Sequence, residues 1–131
     1  DDYAHHPTEV RAALDSVARL GRRVVTVFQP HLYSRTRDFY EAFAQALRSS
    51  DKVLLAPVYG SRERPSDGLD TQAIEASLRA SGFTAVELVP ERGRLLRRMS
   101  EVCESGDLLL TMGAGDIGSL ADDFMTAGRS S

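Results

Sequence analysis

Apolar residues recur along this chain at two spacings, one typical of amphipathic helices and one typical of buried strands. Apolar positions three or four residues apart predict helices over residues 8–20, 34–47, 70–81 and 91–105. Short runs of β-branched and apolar residues between them predict strands over 23–29, 52–56, 85–89 and 107–112. A last helix is predicted to follow the turn at 113–118 and to end near Thr126.

The regular alternation of strand and helix predicts an α/β fold of the Rossmann-like, three-layer kind. Its sheet should be mainly parallel, with helices on both faces, because parallel strands are joined by crossover helices. The length of 131 residues fits one domain, so we predict a single domain over residues 1–131. Ligands of such sheets bind beyond the carboxyl ends of the strands. We therefore expect the segments that follow the strands to form one rim with residues 1–7 and to carry the function.

Composition narrows the class of protein. The net charge of -3 gives no electrostatic reason to expect binding to nucleic acid or to an anionic membrane. The single cysteine, Cys103, excludes an internal disulfide and a cysteine-rich metal site. No apolar run approaches the roughly 20 residues of a membrane span, and no signal peptide is visible, so we expect a cytoplasmic protein.

The first candidate site is the polar segment at 1–7, which holds two carboxylates, a phenol and two imidazoles within six residues. Carboxylates accept hydrogen bonds from ribose hydroxyls, whereas imidazoles and a following helix N-terminus favour an anion. The alternatives are a solvated loop in which His6 caps the helix, or a metal site at the His5–His6 pair. No third metal ligand stands at a suitable spacing.

The second candidate site follows the first strand and exposes His31, Tyr33, Ser34 and Arg35 at the start of a helix. A guanidinium beside helix N–H groups suits bidentate recognition of a carboxylate or phosphate. The alternative is a structural role, in which Ser34 or Thr36 caps the helix and the arginines pair with surface acids.

Two further segments have weaker signals. The turn at 113–118, G-A-G-D-I-G, has the spacing of a dinucleotide-binding fingerprint, but it is the last βα turn rather than the first. Close backbone packing is the favoured interpretation, and a stand-alone nucleotide-binding module is the alternative. The charged residues Arg62, Glu63, Arg64 and Asp67 lie in the longest loop, where such residues are usually only solvated. A phosphate-binding P-loop is absent from the sequence.

Three motifs carry a resemblance to a known family. D-D-Y-A-H-H-P-T-E at 1–9, F-Q-P-H-L-Y-S-R-T at 28–36 and G-A-G-D-I at 113–117 resemble, in this order and spacing, the C-terminal domain of the Mur ligases. The resemblance covers essentially the whole chain. The D-Y-x-H-x-P core is also shared with folylpolyglutamate synthetase, whereas the double histidine with F-Q-P-H-x-Y-S-R-T is more specific to the members that add L-alanine.

The resemblance implies a three-domain ligase, of which the UDP-sugar domain and the P-loop ATPase domain are absent from this chain. Such a ligase uses ATP and Mg²⁺ to join L-alanine to UDP-N-acetylmuramate through an acyl phosphate, in peptidoglycan synthesis. Its C-terminal domain closes onto the central ATPase domain, its partner in cis. We therefore expect the isolated domain to be inactive and to bind no cofactor by itself.

The resemblance also implies roles for individual residues. Asp2 and His5 would contact the nucleotide at its ribose and phosphates, and His31 and Arg35 would be catalytic, holding the substrate carboxylate or acyl phosphate. The substrate-binding group consists of Tyr3, His6, Tyr33 and Ser34. No metal ligand is assigned. Many relatives have arginine where this chain has Leu32, and Arg37 and Arg62 are the candidates to replace that charge. The loop segment at 59–63 also departs from the small-residue A-G-E pattern of relatives.

Overall fold

The structure, a computed structural model, describes residues 6–113, without the side chain of Arg92. Four helices and four strands lie in this range: α1 (Pro7–Ala18), β1 (Val24–Gln29), α2 (Tyr33–Leu47), β2 (Lys52–Leu55), α3 (Gln72–Ala80), β3 (Val86–Leu88), α4 (Arg92–Val102) and β4 (Leu108–Gly113). Each was predicted, with ends shifted by a few residues. A short 3₁₀ helix, Pro65–Asp67, interrupts the long loop after β2. The predicted last helix and most of the turn before it lie outside the described residues.

The four strands form one parallel sheet in the order β3-β2-β1-β4. From β1 the chain proceeds outward through β2 to β3, and it then returns to place β4 on the other side of β1. The register pairs Gln29, the last residue of β1, with Gly113, the last residue of β4. β1 and β4 therefore end side by side at the point where the strand order changes direction. Open α/β sheets bind ligands at such a point.

Apolar side chains cover both faces of the sheet. On one face Phe28 packs on Phe43 of α2, with ring centroids 5.1 Å apart, and α1 and α3 complete the same cluster. On the other face Leu95 and Met99 of α4 pack on Val27 and Leu54. Alternate residues of one strand thus enter opposite layers, because successive side chains of a strand point to opposite faces. The predicted three-layer α/β fold is confirmed.

Charged and polar contacts fix the amino end of the sheet. Arg23 pairs with Asp107, which joins the residue before β1 to the residue before β4. The Asp51 carboxylate accepts a hydrogen bond of 2.7 Å from the Val24 backbone N–H, at the start of β1. These contacts hold the starts of β1 and β4 together at the end of the sheet opposite the predicted rim. Among residues 6–113 we find no helix with the length and apolarity that a membrane span requires.

Candidate functional site

The rim of the sheet begins where β1 and β4 end together. Gly113 has a φ of 130°, and a Cβ built on it would lie 2.1 Å from the Gln29 carbonyl oxygen. Only glycine fits both the backbone angle and the approach, so close backbone packing is confirmed for Gly113. The Gln29 side chain donates to the Pro57 carbonyl oxygen at 3.3 Å, while its own Oε1 is buried with no partner in the described part of the chain.

The chain leaves β1 through a strained residue, Leu32, whose φ of 70° lies in the region that favours glycine. Such a conformation costs on the order of 1–3 kcal/mol and persists only where the surroundings fix it. Leu32 donates its N–H to the Tyr59 carbonyl oxygen at 3.0 Å, and its carbonyl oxygen accepts from both the N–H and the Oγ1 of Thr36. These bonds fix the direction in which α2 begins.

The start of α2 differs from the prediction. The helix begins at Tyr33 with Leu32 as its N-cap, and the Leu32 side chain makes no capping bond. Ser34 and Thr36 lie inside the helix, so the prediction that one of them caps it is wrong. The capping group comes instead from a different segment, because the Glu63 carboxylate accepts from the Ser34 N–H at 3.0 Å and from the Ser34 hydroxyl. These two bonds are the main reason that the pKa of Glu63 lies below its usual value.

Other contacts hold the 57–69 loop against the same segment. Tyr59 donates its N–H to the Pro30 carbonyl oxygen at 2.8 Å, and its ring stacks on His31 with centroids 6.1 Å apart. Leu69 donates to the Tyr33 carbonyl oxygen at 3.1 Å, and a Cβ at Gly68 would lie 1.9 Å from that oxygen. The loop therefore packs closely on the residues that follow β1.

The interpretation of this loop as merely solvated is wrong for two of its charged residues. Glu63 binds the start of α2, and the Asp67 carboxylate accepts from the Arg64 N–H at 2.7 Å. The Asp67 carbonyl oxygen also accepts from Arg37 at 3.2 Å. Arg62 is exposed, in agreement with that interpretation. Arg37 is also exposed, and it forms an ion pair with Asp38 at 3.1 Å, so its guanidinium already has partners within the fold.

The structure brings four predicted site residues together at the first turn of α2. The His31 ring lies on Tyr59, and a Cβ at Gly60 would meet the Tyr33 ring at 2.6 Å. Both polar groups of Ser34, its N–H and its hydroxyl, donate to Glu63. Arg35 differs, since its Nη1 is buried and has no hydrogen-bond partner among residues 6–113. A buried, unpaired guanidinium N–H is costly, so this atom is the polar group most available to an anion.

His6 makes a structural contact in α1 and also packs against α2. Its Nδ1 accepts from the Thr8 N–H at 3.4 Å, which is the helix-capping alternative for this residue. Its ring also lies 5.0 Å from the ring of Phe39, one turn beyond Arg35 in α2. The end of the 1–7 segment thus approaches the helix that carries Arg35. Asp2, Tyr3 and His5 lie outside the described residues, and their assignments stay predictions.

A charged groove of about 420 Å³ lies elsewhere, between β3 and α4. Its lining consists of Glu87, Arg94, Arg97, Arg98 and Glu101. Arg98 donates to Glu87 at 2.7 Å and to Glu101 at 2.6 Å, and these two bonds raise the pKa of Arg98. Both carboxylates already have a cation, so the groove is a surface ion-pair network. Within residues 6–113 no three His, Cys, Asp or Glu side chains are grouped as a metal site would require.

The sheet order and the shared carboxyl end of β1 and β4 define a Rossmann-like α/β domain whose rim carries His31, Tyr33, Ser34 and Arg35. The chain belongs to the Mur ligase family, since the family model described as "Mur ligase, glutamate ligase domain" matches residues 1–115.

Curated relatives agree with the family assignment. The chain is 40% identical to a UDP-N-acetylmuramate–L-alanine ligase of Desulfosudis oleivorans over 96% of its length, which is 28% of that protein. It is 44% identical to the ligase of the same name from Salinibacter ruber over 95% of its length, or 27% of that protein. The chain therefore spans about a quarter of the length of these relatives.

Solved structures show the same fold at lower identity. A murein peptide ligase from Psychrobacter arcticus superposes with a TM-score of 0.78 and 19% identity, over 97% of this chain and 26% of that one. A bifunctional folylpolyglutamate synthase/dihydrofolate synthase from Yersinia pestis, solved with AMPPNP and a Mn ion, superposes with a TM-score of 0.64 and 16% identity. The match covers 96% of this chain and 27% of that one.

Proposed function

We propose that this chain is the C-terminal domain of a cytoplasmic, ATP-dependent ligase of peptidoglycan synthesis, which joins L-alanine to UDP-N-acetylmuramate through an acyl phosphate. Relatives of that name, 40% and 44% identical, support the substrate pair. Their greater length supports the idea that the UDP-sugar domain and the P-loop ATPase domain belong to the rest of the protein. Isolated, the domain is inactive.

The observation that carries this proposal is the buried Nη1 of Arg35, which has no partner among residues 6–113. A buried N–H without an acceptor is unfavourable, and a carboxylate or acyl phosphate oxygen placed against it removes that cost. Arg35 lies in the first turn of α2, at the ligand-binding end of the sheet. Its position, its charge and the absence of a partner for Nη1 among residues 6–113 therefore suit a group that binds an anion in the reaction.

The other residues of the rim divide into ligand contacts and supports. His31, which stacks on Tyr59, is the second residue proposed to hold this anion. In this proposal Tyr33 and Ser34 act mainly by shaping the rim, because their side chains already contact Gly60 and Glu63. ATP with Mg²⁺ supplies the phosphoryl group that activates the sugar carboxylate. The family resemblance implies that Asp2 and His5 would contact the nucleotide and that Tyr3 and His6 would bind substrate, and we include these roles in the proposal.

The experiment measures L-alanine ligation by the full-length protein that carries this chain. Arg35→Ala is expected to lower kcat/KM on the order of 100-fold, because it removes a donor to the developing charge. Arg48→Ala, at the opposite end of α2, is the matched control and should leave kcat/KM unchanged. Equal activity of Arg35→Ala and the wild type would contradict the proposal. Preference of the wild type for a different amino acid would instead support another Mur ligase activity.

A further inference from the structure

The N-terminus of α2 already contains an anion that belongs to the protein. One Glu63 oxygen accepts from the Ser34 N–H at 3.0 Å, and the other accepts from the Ser34 hydroxyl. The first N–H groups of a helix and the positive end of its dipole attract negative charge, and α2 is a helix of 15 residues. Glu63 therefore occupies the position that a substrate carboxylate or phosphate would otherwise take.

This occupancy directs a ligand away from the helix N–H groups and towards side chains. Arg35 directly follows Ser34, and its buried Nη1 has no partner in the described range. By fixing Ser34, Glu63 fixes the turn from which the guanidinium extends. Leu32, with its strained φ of 70°, directly precedes this turn, and its N–H donates to the carbonyl oxygen of Tyr59, which belongs to the same loop as Glu63.

We propose that Glu63 is a positioning residue, which holds the first turn of α2 so that Arg35 meets the anionic substrate group in the correct place. The inference rests on the proposed function, because it concerns how the same anion is bound. Glu63 does not contact the reacting atoms; it acts through Ser34 on Arg35. Removing Glu63 has two effects in this proposal. The turn loses its fixed geometry, and the freed helix N–H groups compete with Arg35 for the anion.

Three variants of the full-length protein test this role through kcat/KM for L-alanine. Glu63→Ala is expected to lower kcat/KM about tenfold, within the range that misplacement of a binding group produces. Glu63→Gln can accept from the Ser34 N–H and donate to the Ser34 hydroxyl, so we expect it to remain within about threefold of the wild type. Glu104→Ala removes an exposed carboxylate at the amino end of the sheet and is the charge-matched control.

A double-mutant cycle separates positioning from general stability. If Glu63 acts through Arg35, Glu63→Ala should lower kcat/KM less than about twofold in an Arg35→Ala background. An equal loss in both backgrounds overturns the proposal, and so does a Glu63→Ala enzyme with wild-type kcat/KM. A purely structural role would give the same loss with and without Arg35.

Hydrogen exchange keeps this inference distinguishable from the proposed function. In Glu63→Ala the Ser34 amide should exchange faster than in the wild type, because it loses its acceptor. Unchanged exchange of the peptide covering 31–37 overturns the positioning role whether or not the protein ligates L-alanine. Absence of ligation by the wild type, with faster exchange in Glu63→Ala, rejects the proposed function and with it any catalytic consequence of Glu63.

Discussion

Replacing Gly68 by alanine tests how closely the 57–69 loop packs on the start of α2. The new Cβ would lie 1.9 Å from the Tyr33 carbonyl oxygen, 2.3 Å from the Tyr33 carbonyl carbon and 2.7 Å from the Ser34 nitrogen. All three are backbone atoms, so no side-chain rotation relieves the overlap. Gly68 has a φ of −174°, which any residue adopts, so the expected cost is steric. The loop has to retreat by roughly 1.5 Å to reach an ordinary contact distance of 3.4 Å.

The size of the effect follows from what this retreat disrupts. Overpacking of this kind costs about 1–3 kcal/mol. The Leu69–Tyr33 backbone hydrogen bond, 3.1 Å long, and the two bonds from Ser34 to Glu63 are weakened as well. With about 1 kcal/mol for a lost hydrogen bond, we expect Gly68→Ala to lower the free energy of unfolding by about 2–4 kcal/mol. For a chain of this size that corresponds to a decrease in Tm of roughly 6–15 °C.

Urea unfolding followed by circular dichroism measures this difference directly. The matched control is Gly93→Ala in α4, where an added Cβ meets nothing within 4 Å. Because alanine is the better helix former, this control should raise the free energy of unfolding by up to about 1 kcal/mol. If Gly68→Ala changes the free energy of unfolding by less than about 0.5 kcal/mol, the close packing of the loop on α2 is refuted.

Three further predictions concern other parts of the fold. Gly113→Ala should lower the free energy of unfolding by about 2–4 kcal/mol, because it combines a φ of 130° with a 2.1 Å approach to Gln29; a urea midpoint equal to that of the wild type would contradict this. Because the pKa of Glu63 is lowered in the folded protein, its ionised carboxylate adds to the free energy of unfolding. This addition is complete above the ordinary glutamate pKa of about 4.3 and is lost as the pH falls through the lower pKa of the folded state. The difference in unfolding free energy between wild type and Glu63→Gln should therefore shrink as the pH falls from about 5 to about 3. A difference that stays constant over this range would reject the link between Glu63 ionisation and stability. Burial, followed by the Asp107 charge, raises the pKa of Cys103. Labelling of this thiol at pH 8 should therefore be about tenfold slower in the folded protein than in the protein unfolded by urea, and equal rates would contradict the raised pKa.

Local sequence patterns were sufficient to predict the described helices and strands. β1 is an apolar, β-branched run between Gly21 and Pro30, and burial on both faces is the environment that such a run needs. His6 accepts from a donor only two residues away, the Thr8 N–H, so its capping role was also visible as an alternative. In each case the groups that decide the structure are close together in the sequence, and the spacing of residues is enough to identify them.

The cap of α2 could not be predicted in this way, because its two partners are separated by 29 positions in the sequence. Ser34 is a common capping residue and stands near the helix start, so local propensity favoured it over any distant group. The strained Leu32 advances the helix start to Tyr33 and places Ser34 inside the first turn. The glycine at 68 was a signal that the 57–69 loop approaches another backbone, and it did not indicate which one.

The rim also shows how a polar motif divides into supports and ligand contacts. In the sequence Ser34 and Arg35 are neighbours in one motif, and both are suitable types of residue to bind an anion. In the structure the hydroxyl and the N–H of Ser34 are used by Glu63, whereas Nη1 of Arg35 is buried and lacks a partner within 6–113. Buried polar groups are nearly always hydrogen-bonded in native proteins, so the partner of this atom is expected outside residues 6–113. Hydrogen bonding within residues 6–113 therefore distinguishes Ser34 from Arg35, and it is the basis on which we propose Arg35 rather than Ser34 as a substrate contact.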